Sequence, residues 1–545
     1  CLNYTIKMIY PTIKELYLNS IKSFAKRPVS SLFNGESLSY EQFDERVKQM
    51  VDIFRKAGLT KGDKVALLSS NMPNWSVCYF ATVISGMVIV PILPDFSADA
   101  ISGILEHSES KALFVSDKLY AKVPKSAVSR MNVVVRAVNL AVIAHKDWSL
   151  ERELTVTADL TPGDLAAIIY TSGTTSSPKG VMLSHKALCT QLDFVLNTME
   201  ANPDDVFLSI LPLSHTYECS LGMLYPFMRG ASVVYLGVPP TATSLLPALK
   251  QVRPTFMLSV PLIVEKLYAR QVLGKFTGNK LLKMIYKIRF VRRLLHRIAG
   301  AKLYSTFGGR IKFFGIGGAK LNGPTEKFLR EARFPYSIGY GLTETAPLLA
   351  AAVHPDTCLQ STGHILDGIQ MRLSNVNPET GVGGIEVKTP CIMNGYFKNP
   401  EADQEAFTPD GWFRTKDLGV LDKKGRLFIR GRLNNMIVGS NGENIYPEEI
   451  ESVLNTHSLV TESVVIQEKD KLVALVYFQD LKQELRDHMN EVYADIMQFV
   501  NERVSKISRI TKVYEQQEEF EKTPTLKIKR YLYTNFKNNK KRAAS

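Results

Sequence analysis

The chain has 545 residues, of which 45% are hydrophobic and 22% are charged, and this is the composition of an ordinary globular protein. Its length exceeds what one hydrophobic core usually supports, so we expect about three to four domains or lobes. The six cysteines are scattered without a C-x-x-C pair, which argues against a disulfide framework and against a cysteine zinc site. We therefore expect a reducing compartment and a cytoplasmic protein.

The formal net charge of +14 is concentrated in one part of the chain. Between Lys266 and Thr325 there are fourteen Lys and Arg residues and no Asp or Glu. In the densest part, residues 280–302, apolar residues recur at a helical period with basic residues between them. Two interpretations remain open: a solvated helix that covers the body of the protein, or a helix that rests on the anionic inner face of a membrane. No recognised motif accompanies the charge, so we expect no nucleic acid partner.

Short apolar runs alternate with amphipathic helical stretches through most of the first 350 residues. Examples are KVALLSS (64–70), KALFVS (111–116), DLAAIIYTS (164–172) and RIKFFGIGG (310–318). This alternation predicts an α/β fold with stacked layers and largely parallel sheets.

One stretch, from Met72 to Pro94, has no charged residue, and its length approaches that of a membrane span. It contains polar residues and Gly86, however, and ends on prolines. A buried helix near 75–85 that turns at Gly86 into a core strand is the better interpretation.

Strands and turns dominate the next part of the chain, and we expect a β-rich lobe at about 360–430. Within it, DKKG at 422–425 predicts a hairpin turn between two strands. A smaller α+β unit follows, with a helix in YPEEIESVLN (446–455), two strands and a long helix from about Leu481 to Lys506. The predicted domains are therefore a large N-terminal domain, residues 1–433, and a small C-terminal domain, residues 434–545.

The segment YTSGTTSSPKG (170–180) connects a strand to the elements that precede a helix. Its short hydroxyls and glycines suit a loop that surrounds phosphate groups. It is not a Walker A loop, because the spacing after Gly173 differs from that motif. Further segments of unusual composition are FFGIGGAKLN (313–322), GYGLTET (339–345), DGWFRTKD (410–417), GRLNNMIVGSNGENIYPEEIE (431–451) and TPTLKIKR (523–530).

In this order and spacing, the segments resemble those of the adenylate-forming acid–CoA ligase superfamily. The ending TPTLKIKR, the loop SNGEN and the segment LPLSHTYE (211–218) resemble the long-chain fatty acid–CoA ligase branch. The resemblance implies that ATP activates a fatty acid as an acyl adenylate, with release of AMP and pyrophosphate, before a thioester forms with coenzyme A. It also implies Mg²⁺ as a cofactor. Two alternatives remain: transfer to an acyl carrier protein by a related fatty acyl-AMP ligase, and a non-catalytic nucleotide-binding protein.

The resemblance also assigns residues to the nucleotide. The residues implied for the β and γ phosphates are Thr171, Ser172, Gly173, Thr174, Thr175 and Lys179, with Thr174 also catalytic. Those implied for adenine are Gly317, Gly318, Ala319, Tyr340 and Gly341. The remaining assignments are Thr345 near the α phosphate, Asp417 and Arg432 at the ribose, and Glu344 as the Mg²⁺ ligand and a catalytic residue. For Lys179, a structural ion pair is the alternative.

Lys527 is implied as the mobile catalytic cation, with Lys522 and Lys529 as neighbours that could be mistaken for it. A small C-terminal domain that rotates about a hinge at Asn434 would remove this lysine for the second half-reaction. After rotation, Gly439, Gly442 and Asn444 would face coenzyme A.

The acyl pocket is expected behind the GIGG strand. Its predicted residues are His215, Tyr217 and Gly315, with Cys219 and Met223 as further candidates. His215 either gates this pocket or is a structural histidine, and both interpretations remain open.

Overall fold

A computed structural model describes residues 8–146, 148, 159–171, 178–268, 286, 288–439, 443–468, 471–479, 481–523 and 528–534. The predictions for Ser172, Gly173, Thr174, Thr175, Gly442 and Lys527 fall outside these residues. Ser176 and Leu526, which stand where the family that the sequence resembles commonly has glycine, also lie outside them.

The first half of the chain builds a seven-stranded sheet with the order β7-β6-β5-β3-β4-β8-β9. Its central pairs are parallel, and β7 and β9 at the two edges are antiparallel to their neighbours. The strands are β3 (Lys64–Leu68), β4 (Val88–Pro91), β5 (Ala112–Val115), β6 (Val133–Arg136), β7 (Val142–His145), β8 (Leu165–Thr171) and β9 (Lys179–Ser184). The runs KVALLSS, KALFVS and DLAAIIYTS form strands as predicted.

Both faces of this sheet are buried, as expected for parallel strands. Val65 and Leu67 point into one hydrophobic cluster, whereas Ala66 and Leu68 point into another. Successive side chains of a strand alternate between faces, so one strand contributes to both layers. The helices of this region are α1 (Ile13–Phe24), α2 (Tyr40–Lys56), α3 (Pro73–Ile84), α4 (Ala98–His107), α5 (Asp117–Tyr120), α6 (Lys125–Val128) and α7 (His185–Val195).

A nine-stranded sheet has the order β16-β15-β14-β13-β12-β10-β11-β1-β2, with parallel pairing from β14 to β1. Its strands are β1 (Pro28–Leu32), β2 (Ser37–Ser39), β10 (Val206–Ser209), β11 (Ser232–Tyr235), β12 (Phe256–Ser259), β13 (Phe313–Ile316), β14 (Tyr336–Gly341), β15 (Leu348–Ala352) and β16 (His364–Ile365). Its helices are α8 (Thr216–Glu218), a π-helix (Cys219–Leu224), α9 (Tyr225–Arg229), α10 (Ala242–Val252), α11 (Pro261–Tyr268), α12 (Arg289–Thr306) and α13 (Gly323–Glu331). The two large sheets share one hydrophobic core, which includes Val65, Phe207 and Phe314.

The uncharged stretch from Met72 to Pro94 is a core element of this layered body. It forms α3 and β4, joined at Gly86, whose φ is +75°. A positive φ suits glycine because it has no Cβ. Among the described helices, none is both long and apolar enough to cross a bilayer.

A four-stranded antiparallel sheet follows, in the order β17-β18-β19-β20. Its strands are β17 (Gln370–Ser374), β18 (Gly383–Lys388), β19 (Phe413–Leu421) and β20 (Leu427–Arg432), and α14 (Pro400–Ala406) lies between β18 and β19 in the chain. The turn between β19 and β20 is the one that DKKG predicts.

The C-terminal unit contains a two-stranded sheet, β21 (Ile437–Val438) with β22 (Asn444–Ile445), and a three-stranded sheet. The latter combines β23 (Glu462–Glu468), β24 (Lys471–Tyr477) and β25 (Lys512–Gln516). One face of this sheet packs on α15 (Pro447–Leu454) and α17 (Met489–Asn501), and the other face packs on Phe520 and Tyr533. The fold class predicted from the sequence, α/β layers followed by a small α+β unit, is confirmed.

The predicted helix from about Leu481 to Lys506 is wrong in its extent. The structure has two helices instead, α16 (Gln483–Arg486) and α17, separated at Asp487 and His488. Leu485 and Met489 on either side of the break both pack on the C-terminal hydrophobic cluster. Asp and His are weak helix formers, so little is lost where the chain turns to place both apolar side chains.

Candidate functional site

The site is a cavity of about 520 Å³ at the carboxyl ends of β8, β13 and β14. In open α/β sheets, ligands bind at this edge of parallel strands. The sequence-predicted residues in its wall are Thr171, Lys179, His215, Tyr217, Gly317, Gly318, Tyr340, Gly341, Glu344, Arg432 and Asn434. Thr523 of the C-terminal unit also lines it. The structure thus brings together residues that lie up to 430 positions apart, from Leu93 to Thr523.

Glu344 reaches the cavity from a tight turn that follows β14. A Cβ atom on Gly341 would lie 1.8 Å from the Pro347 carbonyl oxygen, so only glycine fits there. The next residues, Thr343–Thr345, form one 3-10 turn. Thr345 is fully buried, and its hydroxyl donates to the Leu342 and Pro347 carbonyls at 3.0 and 2.8 Å. In this structure Thr345 therefore stabilises the turn, and Thr343 and Glu344 are the residues that line the cavity.

Asp417 contacts two residues of the cavity wall, Tyr340 and Arg432. It is buried, and its two carboxylate oxygens contact different side chains. The Tyr340 hydroxyl donates to Oδ2 at 2.9 Å, and Arg432 Nε lies 3.2 Å from Oδ1. Burial, and then the Asp417 charge, raises the pKa of Tyr340 far above its ordinary value. The same carboxylate raises the pKa of Arg432. Tyr340 is therefore a neutral donor, and Arg432 stays charged across the physiological pH range.

Tyr396 is a site residue that the sequence analysis missed. Its hydroxyl donates to Glu344 Oε1 at 2.9 Å, and the Lys179 ammonium lies 5.2 Å from the centre of its ring. Burial, and then Glu344, raises the pKa of Tyr396. Lys179 forms no ion pair with the residues that the structure describes, so its contact there is with an aromatic face. The turn NGYF that contains Tyr396 predicts a loop, and no local signal points to Glu344, 52 positions away.

The residues around Glu344 fit a divalent cation that is shared with phosphates. The described residues contain no cluster of three or more metal-ligating side chains. One carboxylate beside a polar cavity is nevertheless the usual protein contribution to Mg²⁺ when a nucleotide supplies the remaining oxygens. Glu344, oriented by Tyr396, is the residue that would bind it.

The predicted acyl region begins at Tyr217, which lies against β13. A Cβ on Gly315 would come within 3.1 Å of the Tyr217 hydroxyl, and one on Gly317 within 3.2 Å of its ring. The glycines are therefore needed for this aromatic contact. His215 Nδ1 accepts a hydrogen bond from the Tyr217 backbone N–H at 3.2 Å, so His215 has a structural contact as well as a place in the cavity wall. Cys219 and Met223 are buried in the π-helix behind Tyr217 and do not line the cavity.

A buried acid, Glu218, lies next to this region. Only 1% of it is exposed, and Oε2 has no hydrogen-bond partner among the described residues. Gly222, one turn along the π-helix, leaves room for it, since a Cβ there would come within 2.8 Å of the Glu218 carboxyl carbon. Burial raises the pKa of Glu218 to about 8, against the opposing effect of a hydrogen bond from Ser209. The carboxyl is therefore mostly protonated at neutral pH.

This protonated acid predicts a pH-dependent stability. The folded state retains a proton that the unfolded chain releases near pH 4.5, so the contribution is greatest below that pH and is lost as pH rises towards 8. The free energy of unfolding of the unmodified chain should fall by an amount on the order of 3 kcal/mol as pH rises through this range. Glu218→Gln should abolish this fall, because glutamine does not titrate. Thermal unfolding of both proteins at several pH values measures it. Equal slopes of melting temperature against pH would show that Glu218 is ionised in the folded protein.

The C-terminal unit contacts β20 through an ion pair, in which Arg430 lies 3.1 Å from Glu449 Oε1. Within the unit, Asn435 donates to Glu448 Oε1 at 2.6 Å. The predicted residues Gly439 and Asn444 lie in and beside the β21–β22 hairpin and do not reach the cavity. In this structure the C-terminal unit therefore contributes Thr523, and not Gly439 or Asn444, to the cavity wall.

The described residues on either side of Lys527 in the sequence are held by backbone hydrogen bonds. Lys522 and Ile528 form an antiparallel bridge, and Lys529 N donates to the Glu521 carbonyl at 2.8 Å. Arg530 pairs with the buried Glu451, and its other guanidinium nitrogen donates to the Val465 carbonyl at 3.0 Å.

Two of the three lysines in this region, Lys522 and Lys529, contact acidic side chains. Lys522 is largely buried and contacts the carboxylates of both Glu462 and Glu519, and Lys529 lies 3.5 Å from Glu521. Both therefore have local acidic partners. Lys527 lies outside the described residues; in the sequence it follows Thr523, which lines the cavity, by four positions and directly precedes Ile528 of the bridge.

A layered α/β fold with a polar cavity at the carboxyl ends of its parallel strands is typical of an enzyme that binds a nucleotide. The chain belongs to the AMP-binding enzyme family and is an adenylate-forming acyl ligase: the model of the AMP-binding enzyme matches residues 20–397, and that of the AMP-binding enzyme C-terminal domain matches residues 434–539. Enzymes of this family use ATP and coenzyme A.

Relatives and solved structures agree with this assignment. A chloroplast long-chain-fatty-acid–[acyl-carrier-protein] ligase of Arabidopsis thaliana is 28% identical over 81% of this chain and 72% of its own length. Long chain acyl-CoA synthetase 1 of the same plant is 30% identical over 80% of this chain and 73% of its own. The O-succinylbenzoate coenzyme A synthetase of Bacillus subtilis, solved with ATP and a magnesium ion, has a TM-score of 0.74 and 21% identity, with coverage of 95% and 98%.

Proposed function

We propose that this chain is a long-chain fatty acid–CoA ligase that forms an acyl adenylate and then a CoA thioester. The observation that supports it is one cavity whose wall contains Glu344, Tyr217 and the two partners of Asp417, Tyr340 and Arg432, together with Thr523 of the C-terminal unit. The relatives that are long-chain fatty acid ligases support the substrate class.

The nucleotide would be bound by a carboxylate at its ribose and by cationic side chains at its phosphates. Asp417 would accept the ribose hydroxyls, and Tyr340, fixed by its bond to Asp417, would stack on adenine beside Gly317 and Gly318. Arg432 would contact ribose or phosphate oxygens. Lys179 and the loop from Thr171 would bind the β and γ phosphates, which are the leaving pyrophosphate.

Adenylation requires two anions to meet at one phosphorus atom. The acid carboxylate attacks the α phosphorus of ATP, the bond to the bridging oxygen breaks, and pyrophosphate leaves. Lys527, a point charge on a long side chain, would offset the charge that develops at the α phosphoryl oxygens. Mg²⁺ at Glu344, when bound, would supply further neutralisation at the phosphates.

Thioester formation needs the opposite arrangement, because the lysine must leave before the pantetheine thiol reaches the acyl carbon. We propose that residues 434–545 rotate as a lid about Asn434 relative to residues 1–433. Asn434 lies at the cavity edge and directly after β20, which suits a hinge. Rotation would break the Arg430–Glu449 contact and bring Gly439 and Asn444 towards coenzyme A.

The acyl chain would extend past Tyr217 towards the π-helix. Tyr217 lines the cavity, and Cys219 and Met223 are buried and are not among its lining residues. A long chain therefore requires this ring to move away from Gly315 and Gly317.

A screen of pyrophosphate release over carboxylic acids of increasing chain length, with and without coenzyme A, tests the function. We expect release that rises with chain length and a CoA thioester as product. Release of ADP or orthophosphate would contradict adenylation, and a preference for short or aromatic acids would contradict the substrate class.

Transfer to an acyl carrier protein is the second candidate function, because one relative is such a ligase. The same screen with holo carrier protein in place of coenzyme A distinguishes the two. Thioester formation on the carrier protein alone would replace the CoA proposal while leaving adenylation intact.

A further inference from the structure

The basic helix α12 (Arg289–Thr306) presents two different faces. Its inner face is fixed to the body: Arg292 lies 3.0 Å from Glu331, and His296 Nδ1 lies 2.8 Å from the same carboxylate. Gly300 packs so closely on Ala332 that an added Cβ would come within 2.5 Å of the Ala332 Cβ. The helix is therefore attached along its length and cannot turn its other face inwards.

The outer face carries an apolar row that nothing in the described chain covers. Phe290, Leu294 and Ile298 follow one another at intervals of four residues and are 77%, 51% and 61% exposed. Residues four apart lie on one side of a helix, so the three side chains form a continuous strip about 12 Å long. A soluble protein seldom leaves a row of large apolar side chains in water without an interaction.

Basic side chains flank this row. Arg293, Arg297 and Lys302 are exposed, and none of them forms an ion pair with the residues that the structure describes. The inner Arg292, by contrast, has its acidic partner in Glu331. Within Lys266–Thr325 there is no acidic residue at all, so the positive field of this face is not offset locally.

We propose that the outer face of α12, defined as Phe290, Leu294, Ile298, Arg293, Arg297 and Lys302, docks on an anionic lipid bilayer. A helix that lies in the interface inserts its apolar side chains among the acyl chains while flanking Lys and Arg contact the anionic headgroups. The charge complementarity favours this partner, and a convex helix with a straight apolar strip suits a broad fluid surface.

Docking here would bring the enzyme to the place where a fatty acid is stored. This purpose rests on the proposed substrate, but docking itself does not, since vesicle binding can be measured without ATP, acid or coenzyme A. Failure of the substrate proposal and failure of the docking proposal are therefore distinguishable.

The test is cosedimentation of the full chain with vesicles of phosphatidylcholine alone or mixed with phosphatidylglycerol. We expect binding to the mixed vesicles that weakens as salt is raised. Each basic residue near an anionic surface strengthens binding about fivefold, so Arg293→Gln, Arg297→Gln and Lys302→Gln together should weaken it about 100-fold. Phe290→Ser, Leu294→Ser and Ile298→Ser together should weaken it at least about tenfold.

Matched controls carry the same changes on other surfaces. Lys118→Gln, Lys423→Gln and Lys424→Gln remove three exposed charges, and Leu18→Ser, Val138→Ser and Val238→Ser remove three apolar side chains that are 54–56% exposed. We expect both control proteins to bind as the unmodified chain does. Equal losses in the control and outer-face variants, or equal binding to neutral vesicles, would overturn the proposal.

Activity gives a second readout. The outer-face variants should keep their melting temperature and their rate with a short, dissolved acid, while their rate with a long-chain acid embedded in anionic vesicles falls. Absence of vesicle binding, together with binding of holo acyl carrier protein that the arginine and lysine changes abolish, would assign the face to an acidic protein and overturn the lipid proposal.

Discussion

Replacing Lys527 by alanine is expected to lower the rate of acyl-adenylate formation at least about 10²- to 10³-fold while the conversion of supplied acyl adenylate to thioester continues. The reason is that the lysine charge is needed only while two anions meet at the α phosphorus. The second half-reaction requires the lid to have removed it. Pyrophosphate release measures the first step, and thioester formation from synthetic acyl-AMP measures the second.

Lys529→Ala is the matched control for Lys527→Ala, because it removes the same side chain two residues away. Lys529 lies close to Glu521, and we expect its removal to leave both half-reactions within a few-fold of normal. If the Lys529 variant lost adenylation and the Lys527 variant did not, the catalytic cation would be Lys529. Equal loss of both half-reactions in the Lys527 variant would contradict the two-conformation mechanism.

Asp417→Ala is expected to impair both half-reactions, in contrast to Lys527→Ala. The carboxylate would contact the ribose in ATP and in the acyl adenylate alike, and it also orients Tyr340 and Arg432. Hydrogen bonds to a charged group contribute roughly 1.5–3 kcal/mol each, so the loss of two corresponds to about 10²- to 10⁴-fold in kcat/KM. The measurement is kcat/KM for ATP in the first step and for acyl-AMP in the second.

Asp422→Ala serves as the control for this change. Asp422 also pairs with an arginine, Arg426, but it follows β19 at the hairpin turn, whereas Asp417 lies within β19 and contacts Tyr340 and Arg432 of the cavity wall. We expect near-normal kinetics from it. A loss confined to adenylation in the Asp417 variant would place Asp417 at the phosphates, and the ribose assignment would then be wrong.

The candidate site was predictable to the extent that its chemistry depends on short segments. GYGLTET contains both the glycine that its turn requires and the acid that the turn presents, and the structure confirms that Gly341 has no room for a Cβ. The partners of these residues were not predictable in the same way. Tyr396 approaches Glu344 only because the loop after β18 returns to β9, where Phe397 N donates to the Gly180 carbonyl at 2.7 Å.

The sequence by itself determined the layered α/β architecture, the hairpin at DKKG and several segments that supply the cavity wall, because periodicity, turn chemistry and short motifs are local properties. Only the tertiary structure decided the pairs Tyr340–Asp417 and Tyr396–Glu344, the short extent of α16 and α17, and which face of α12 points outwards. These features depend on packing between residues far apart in the chain. The helical period in residues 289–306 does not by itself decide which face of α12 packs on the protein. The contacts of Arg292 and His296 with Glu331, and of Gly300 with Ala332, decide which face is the inner one.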